Sequence, residues 1–374
     1  MKIGILTHFH KSVNYGGVLQ AYALCKHLNT YGHSAQQILY TARIKNLDSS
    51  SHALKNLFQA VSKRIKRKLN KEKNIKIKER METLFKDFRE QVPHTATEYT
   101  KDTIANANKD FDAVLVGSDQ VWNPAWFDSS YMLDFIDKSI PKISYSASMG
   151  VSFLTEEQKA VYKKYLVGFE KISVREQACA DVLSDVLEKK ISVCVDPTLL
   201  LSADQWDEIA SERIIKEKYV FLYMLGDDIK ARKTAEKFAN EKGLQLIFIP
   251  DLLGEYRVID RKIKGAAIED ATPRDFISLI KYADYIFTDS FHACVFSLLY
   301  QKEFFAFDRS GVQKTNSRIH NLLEMFACKE RFCVTDEKWS VEFLLKCPPI
   351  DYSRENIPFE VQKQKSVEYL HNIV

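Results

Sequence analysis

At 374 residues, with 45% hydrophobic and 28% charged side chains, the chain is composed like a soluble globular protein and exceeds what one hydrophobic core usually organises. Its net charge of +4 is too slight to imply nucleic acid, and it holds no uninterrupted apolar run of about 18 residues that would span a bilayer. The seven cysteines (25, 179, 194, 294, 328, 333 and 347) form no CxxC pair, which argues against a zinc site or disulfide framework and for a reducing cytoplasm.

The N-terminus turns polar too quickly for a signal peptide and reads as a first buried strand, Lys2–Thr7. His8, His10, Asn14, Gly16 and Gly17 follow, and a helix is predicted from Val18 to Tyr31 with Gly32 as its C-cap. Adjacent glycines let backbone amides approach an anion or a sugar, so this loop reads either as a tight turn or as a binding loop. The spacing is not GxGxxG, and no dinucleotide site is indicated. A second strand falls at Ala35–Leu39. Residues 43–108 then form a charged, largely helical insertion. Between Ser62 and Glu90 lie twelve Lys or Arg residues, with Leu54, Phe58, Val61, Ile65 and Leu69 at helical spacing opposite them. This segment reads either as a basic amphipathic helix resting on anionic lipid or as a surface helix packing its stripe on the domain. No aromatic residue interleaves with the basic residues from Lys63 to Arg80, so stacking platforms for nucleic acid are missing there.

Further strands are predicted at Ala113–Val116, Lys142–Ser146, Lys171–Val174 and Ser192–Val195. Gly117, Ser118, Asp119 and Gln120, followed by Trp122 and Asn123, suit a carbohydrate: carboxylate and amide groups take hydroxyls, and an indole face covers a sugar ring. Arg175 follows a strand directly and is expected at the cleft, where a guanidinium binds phosphate or carboxylate bidentately; the alternative is an ion pair with Glu176 or Asp181. Asp196-Pro197 ends the next strand, and the domain boundary is placed near Leu200. The second half repeats the grammar. Strands are predicted at Tyr219–Leu225, Leu244–Ile249, Tyr285–Thr288 and Phe304–Phe307, with a helix capped by Thr272-Pro273. Residues 1–200 and 201–350 thus form two Rossmann-like domains of an α/β fold facing a cleft, as in B-type glycosyltransferases. Residues 351–374 form a helical tail expected to pack back on the first domain.

The stretch Ala283–Leu299 is the most informative. A strand runs into Asp289 and Ser290, a favoured N-cap, and a helix begins with His292 in its first turn. An imidazole beside unpaired helix N-terminal amides, which attract anions, suggests proton transfer on a phosphorylated substrate. The alternative is a histidine hydrogen-bonded for structure. Cys294 reads as a buried filler rather than a nucleophile. Arg318, opening the helix Ser317–Phe326, is a further candidate anion clamp.

Seven segments occur in order: Asn14–Leu24, Phe111–Pro124, Lys142–Gly150, Ile172–Glu176, Val195–Leu200, the Ser290-Phe291-His292 block and Asn316–Leu323. Together they resemble the polysaccharide pyruvyl transferases. The resemblance implies transfer of the pyruvyl group of phosphoenolpyruvate onto a sugar diol as a cyclic ketal, with release of phosphate. It implies no cofactor or metal beyond that donor and a glycan or lipid-linked oligosaccharide as acceptor, while the cysteines point to the cytoplasm and the lipid-facing reading of the basic helix would add contact with the inner face of the membrane. His292 would act as general acid–base and Arg175 would hold the donor, with Ser290, Asp289 and Arg318 as further donor-binding residues. Asn14, Gly16, Gly17, Ser118, Asp119, Gln120 and Trp122 would position the acceptor. Many relatives carry an Arg-Leu-His type arrangement where this chain has Ser290-Phe291-His292, so a contact made elsewhere by that arginine falls here to Ser290, to Arg318 or to nothing. Two other classes share the architecture: a B-type glycosyltransferase using a nucleotide sugar, and a non-catalytic glycan-binding relative.

Overall fold

The computed structural model describes residues 1–47, 70–309, 317–333, 339–353 and 357–373. The apolar stripe read from Leu54 to Leu69, with the basic residues Lys63 to Lys68 opposite it, lies outside the described residues. Among those described, no helix is long and apolar enough to cross a membrane.

Two parallel sheets organise the chain. The first consists of β1 (Lys2–Leu6), β2 (Ser34–Tyr40), β3 (His94–Tyr99), β4 (Ala113–Val116) and β5 (Lys142–Ser144), in the order β3-β2-β1-β4-β5. The two-residue strands β6 (Ser173–Val174) and β7 (Ser192–Val193) pair with each other, and single bridges (Ile143 to Lys171, Ala147 to Val174) join them to the β5 edge. Serine hydroxyls complete that join. Ser144 Oγ donates to the Ser173 carbonyl and accepts from its amide, while Ser173 Oγ donates to the Ser144 carbonyl. The second sheet holds β8 (Tyr219–Tyr223), β9 (Gln245–Phe248), β10 (Ala266–Ala267), β11 (Tyr285–Thr288), β12 (Glu303–Phe307) and β13 (Phe332–Cys333), in the order β10-β9-β8-β11-β12-β13. Both sheets therefore reverse direction beside their first strand, between β1 and β4 and between β8 and β11. Such switch points leave a crevice beyond the carboxyl ends of the strands. The central strands are apolar throughout because helices cover both faces, as parallel sheets require.

The expected insertion differs in one respect. It contains β3, an edge strand whose side chains are mostly exposed, so no apolar run announces it. The helix Lys71–Gln91 precedes β3 and buries Ile77, Met81, Phe85 and Phe88, a stripe at helical spacing turned into the protein. The strand predicted to reach Leu225 stops at Tyr223, because the amides of Leu225 and Gly226 turn to the Asp289 carboxylate, each at 2.6 Å.

A single apolar cluster passes from the first sheet (Ile3, Ile5) into the second (Phe221) and its covering helix Pro273–Lys281 (Phe276). Tyr15, at the start of the helix Tyr15–Thr30, is its hinge-side centre. Its ring lies 4.9 Å from Phe276 in a stacked pose and 4.7 Å from Phe85, and its hydroxyl donates to the Ala271 carbonyl at 2.7 Å. The last helix, Ile357–His371, returns to the first lobe. Ser366 Oγ accepts from the Val195 amide at 2.9 Å, and the Tyr369 hydroxyl donates to the Ser144 carbonyl at 2.9 Å.

Candidate active site

The site forms where the crevice of the first sheet meets the helix Phe291–Leu299 of the second. Ser290 caps that helix, its hydroxyl accepting from the Ala293 amide, so His292 stands in the first turn and projects toward the first lobe. There it meets Gly16. A methyl group built on Gly16 would lie 2.0 Å from His292 Nδ1, so only glycine lets the imidazole reach this place. On its other side, His292 Nε2 lies 3.6 Å from Asp196 Oδ2.

Asp196 is the junction of the cluster. Its Oδ2 accepts from Arg175 Nη1 at 2.7 Å and from Ser118 Oγ at 3.2 Å. Its Oδ1 accepts from the Thr198 amide and hydroxyl, at 3.0 and 2.6 Å. Arg175 further lies 3.5 Å from Asp119 and 3.6 Å from Glu176, and Arg318 lies 3.8 Å from Glu176. Phe291 fills the space between the guanidiniums, its ring 4.6 Å from that of Arg175 and 6.0 Å from that of Arg318. Two guanidiniums thus face three carboxylates beside the imidazole of His292.

The electrostatics follow from this packing. Burial opposes ionisation of Asp196, but the charges of His292 and Arg175 prevail and hold its carboxyl well below the usual range. Asp119 is lowered by the same contest, with burial outweighed by Arg175 and His292. The Arg175 guanidinium is desolvated yet raised by Asp196, Glu176 and Asp119 together. Arg318 is brought down to about 10, by burial and then by the charge of Arg175. Burial also lowers His8, whose Nε2 lies 3.4 Å from the Gln120 carbonyl.

The structure brings His292, Arg175, Arg318, Gly16, Ser118 and Asp119 into one cluster. Arg175 is engaged by Asp196 and Glu176 rather than presenting an open fork, its side chain 2% exposed, and Asp181 instead accepts from Gln177. Asn14 caps the first helix, accepting from the Gly17 amide, and Gln120 accepts from Asn123 beside the cluster. Three expectations need correction. Trp122 offers no indole face to a sugar: it is wholly buried, and its Nε1 donates to the Tyr131 carbonyl at 2.9 Å. The Asp289 carboxylate is spent on two backbone amides, so as an anion beside amides it holds the turn after β8. The Ser290 hydroxyl serves as the helix cap. Sequence reasoning read Asp196 only as the end of a strand. The signal that could have found it is its position, since it leaves the last strand of the first lobe as Arg175 leaves the one before.

A family model described as polysaccharide pyruvyl transferase matches residues 14–311. No curated protein matches the chain. Among solved structures, UDP-GlcNAc 2-epimerase from Methanocaldococcus jannaschii aligns over 100% of both chains at 12% identity and a TM-score of 0.55. The S. aureus MnaA–UDP co-structure aligns over 100% of this chain and 97% of its own, at 14% identity and a TM-score of 0.50. At such identities the likeness shows the fold alone: two Rossmann-like lobes in the B-type glycosyltransferase arrangement.

Proposed function

The chain belongs to the polysaccharide pyruvyl transferase family, and we propose that it moves the pyruvyl group of phosphoenolpyruvate onto a sugar diol of a polysaccharide or its lipid-linked precursor, as a cyclic ketal. The observation that carries this reading is the meeting of His292, from the second lobe, with Arg175 and Asp196, from the first, on one carboxylate oxygen. His292 donates a proton to the methylene carbon of phosphoenolpyruvate, which becomes a methyl group, and the adjacent carbon becomes an oxocarbenium-like electrophile. One sugar hydroxyl adds there and gives up its proton. The bond to phosphate breaks, inorganic phosphate leaves, and the second hydroxyl closes the ketal as its own proton departs. The two hydroxyl protons balance the one taken up by carbon and the one that leaves with phosphate.

This first step requires a protonated imidazole, and the Asp196 carboxylate faces its Nε2 at 3.6 Å. Arg175 and Arg318 offset the charge of the donor as it enters beside Asp119 and Glu176, and they stabilise charge developing on departing phosphate. Gly16, Gly17, Ser118, Asp119 and Gln120 line the side assigned to the acceptor. Phosphoenolpyruvate is the donor, and proton transfer with charge complementarity suffices for this route without a further cofactor. We place the reaction in the cytoplasm, where phosphoenolpyruvate is made, and contact with the inner face of the membrane remains part of the same proposal.

A nucleotide-sugar donor is less favoured on one observation. At the switch point of the second sheet, where a diphosphate would meet backbone amides, the amides of Leu225 and Gly226 already hold the Asp289 carboxylate. The deciding experiment incubates pure protein with a galactosyl acceptor and either phosphoenolpyruvate or nucleotide sugars, following phosphate release and acceptor mass. Phosphate release with a gain in acceptor mass matching a pyruvate ketal is expected. Consumption of a nucleotide sugar alone would move the chain to the glycosyltransferases, and an inert, folded protein would favour a binding role.

A further inference from the structure

We propose that Asp196 is the positioning residue for His292, the group that holds the imidazole in place across the two lobes. The proposal rests on the functional reading above for its purpose but not for its geometry. Asp196 is fixed before any substrate arrives. Its side chain is fully buried, and Oδ1 is pinned by the Thr198 amide and hydroxyl of the turn Pro197–Leu199. That anchoring leaves Oδ2 aimed at His292 Nε2, 3.6 Å away, with Arg175 and Ser118 holding it from the first lobe. Nε2 is itself buried and makes no hydrogen bond to another group, so a small closure of the gap would complete one. Gly16 backs the opposite edge of the ring. The imidazole is therefore gripped between a carboxylate and a backbone, both supplied by the first lobe, although its own backbone belongs to the second.

Two further charged groups belong to the same set: Asp119, beyond β4, and Arg175, beyond β6, which lie 3.5 Å from each other. Asp196 is the member of this set whose oxygen faces Nε2, at 3.6 Å. Asp196→Asn is the informative change, because an amide oxygen can keep the Thr198 contacts while the charge is lost.

The experiment observes full-length protein labelled with 15N-histidine by NMR, with the His292 signal assigned by its disappearance in His292→Gln. Asp196→Asn is expected to displace the His292 ring resonances, because the ring loses the carboxylate that faces Nε2. Ser118→Ala, which removes one of the donors holding Oδ2, is expected to displace them by a smaller amount. It also serves as the test if Asp196→Asn fails to fold. In turnover, Asp196→Asn should lower kcat about 100-fold, the penalty of a misplaced catalytic group, with KM for phosphoenolpyruvate less affected, and Asp196→Glu should restore part of kcat. Unmoved resonances in the folded variants would overturn the proposal. Displaced resonances in a protein whose wild type consumes no phosphoenolpyruvate would overturn the functional reading and leave the positioning role standing.

Discussion

The two crevices of this molecule are built on the same strand order and furnished in opposite ways. Beyond β1, β4, β6 and β7 the first lobe presents Gly16 beside a charged cluster in which Arg175 lies 2.7 Å from Asp196 and 3.5 Å from Asp119. Beyond β8 and β11 the second lobe closes its own crevice, with the Asp289 carboxylate on two amides and Arg309 Nη2 donating to the Asp289 carbonyl at 3.0 Å. From this lobe His292, on the helix that Ser290 caps, and Arg318 reach out. Identical topology thus yields a site in one half and a brace in the other. Fold supplies the location of a crevice, and side chains decide whether it binds or is sealed.

That contrast can be broken by substitution. The largest effect is expected from His292→Gln, which should lower phosphoenolpyruvate turnover about 1,000-fold, within the range of general acid catalysis, while the urea midpoint stays near that of wild type. Turnover within tenfold of wild type would remove the imidazole from the chemistry. Asp289→Ala should do the reverse. It strands two part-buried amides and is expected to cost about 3 kcal/mol of unfolding free energy in urea, and a loss under about 1 kcal/mol would deny it the role of brace. Gly16→Ala should displace the imidazole and lower kcat about 100-fold, the penalty typical of a misplacement near 1 Å, with the fold retained by circular dichroism. An unaffected kcat would show that the ring can sit elsewhere.

Acid sharpens the comparison further. Asp119 and Asp196 stay ionised in the folded protein at pH values where the unfolded chain, with carboxyls near 3.9, has taken up protons. Their contribution is complete above about pH 4 and is lost as the pH falls further. Denaturation midpoints at pH 5 and pH 3 should therefore differ less in Asp196→Asn than in wild type, and equal differences would contradict the assignment. The smallest effect belongs to Trp122→Phe. It removes the donor to the Tyr131 carbonyl and should cost about 1 kcal/mol without altering KM for the acceptor. A raised KM would return Trp122 to the binding surface.

Much of this was legible in the sequence because apolar runs and caps are local signals. The strands Ala113–Val116 and Tyr285–Thr288 and the cap Thr272 are where their patterns put them. The edge strand β3 was not legible, since an exposed edge buries too little to leave a periodic mark. Arg175 and His292 were legible as residues leaving buried strands, but their partners were not. Asp196 lies 21 positions from Arg175 and 96 from His292, and only the crossing of the two lobes makes them neighbours. Trp122 misled for a related reason: an aromatic after a polar turn looks the same in sequence whether its ring faces a ligand or the core.

Tyr15 precedes Gly16 directly, and its ring is wedged among Phe85, Phe276 and Tyr223 at the join of the lobes. Swinging the halves apart would pull Phe276 from that wedge and wet several aromatic faces, at a cost of several kcal/mol. The same motion would withdraw the imidazole from the glycine beside it. Energy transfer between dyes on the two halves, followed as donor is added, would register such a swing, and a constant signal would exclude it. A gaping molecule would hold its acid out of position, idle until the jaws meet again around cargo.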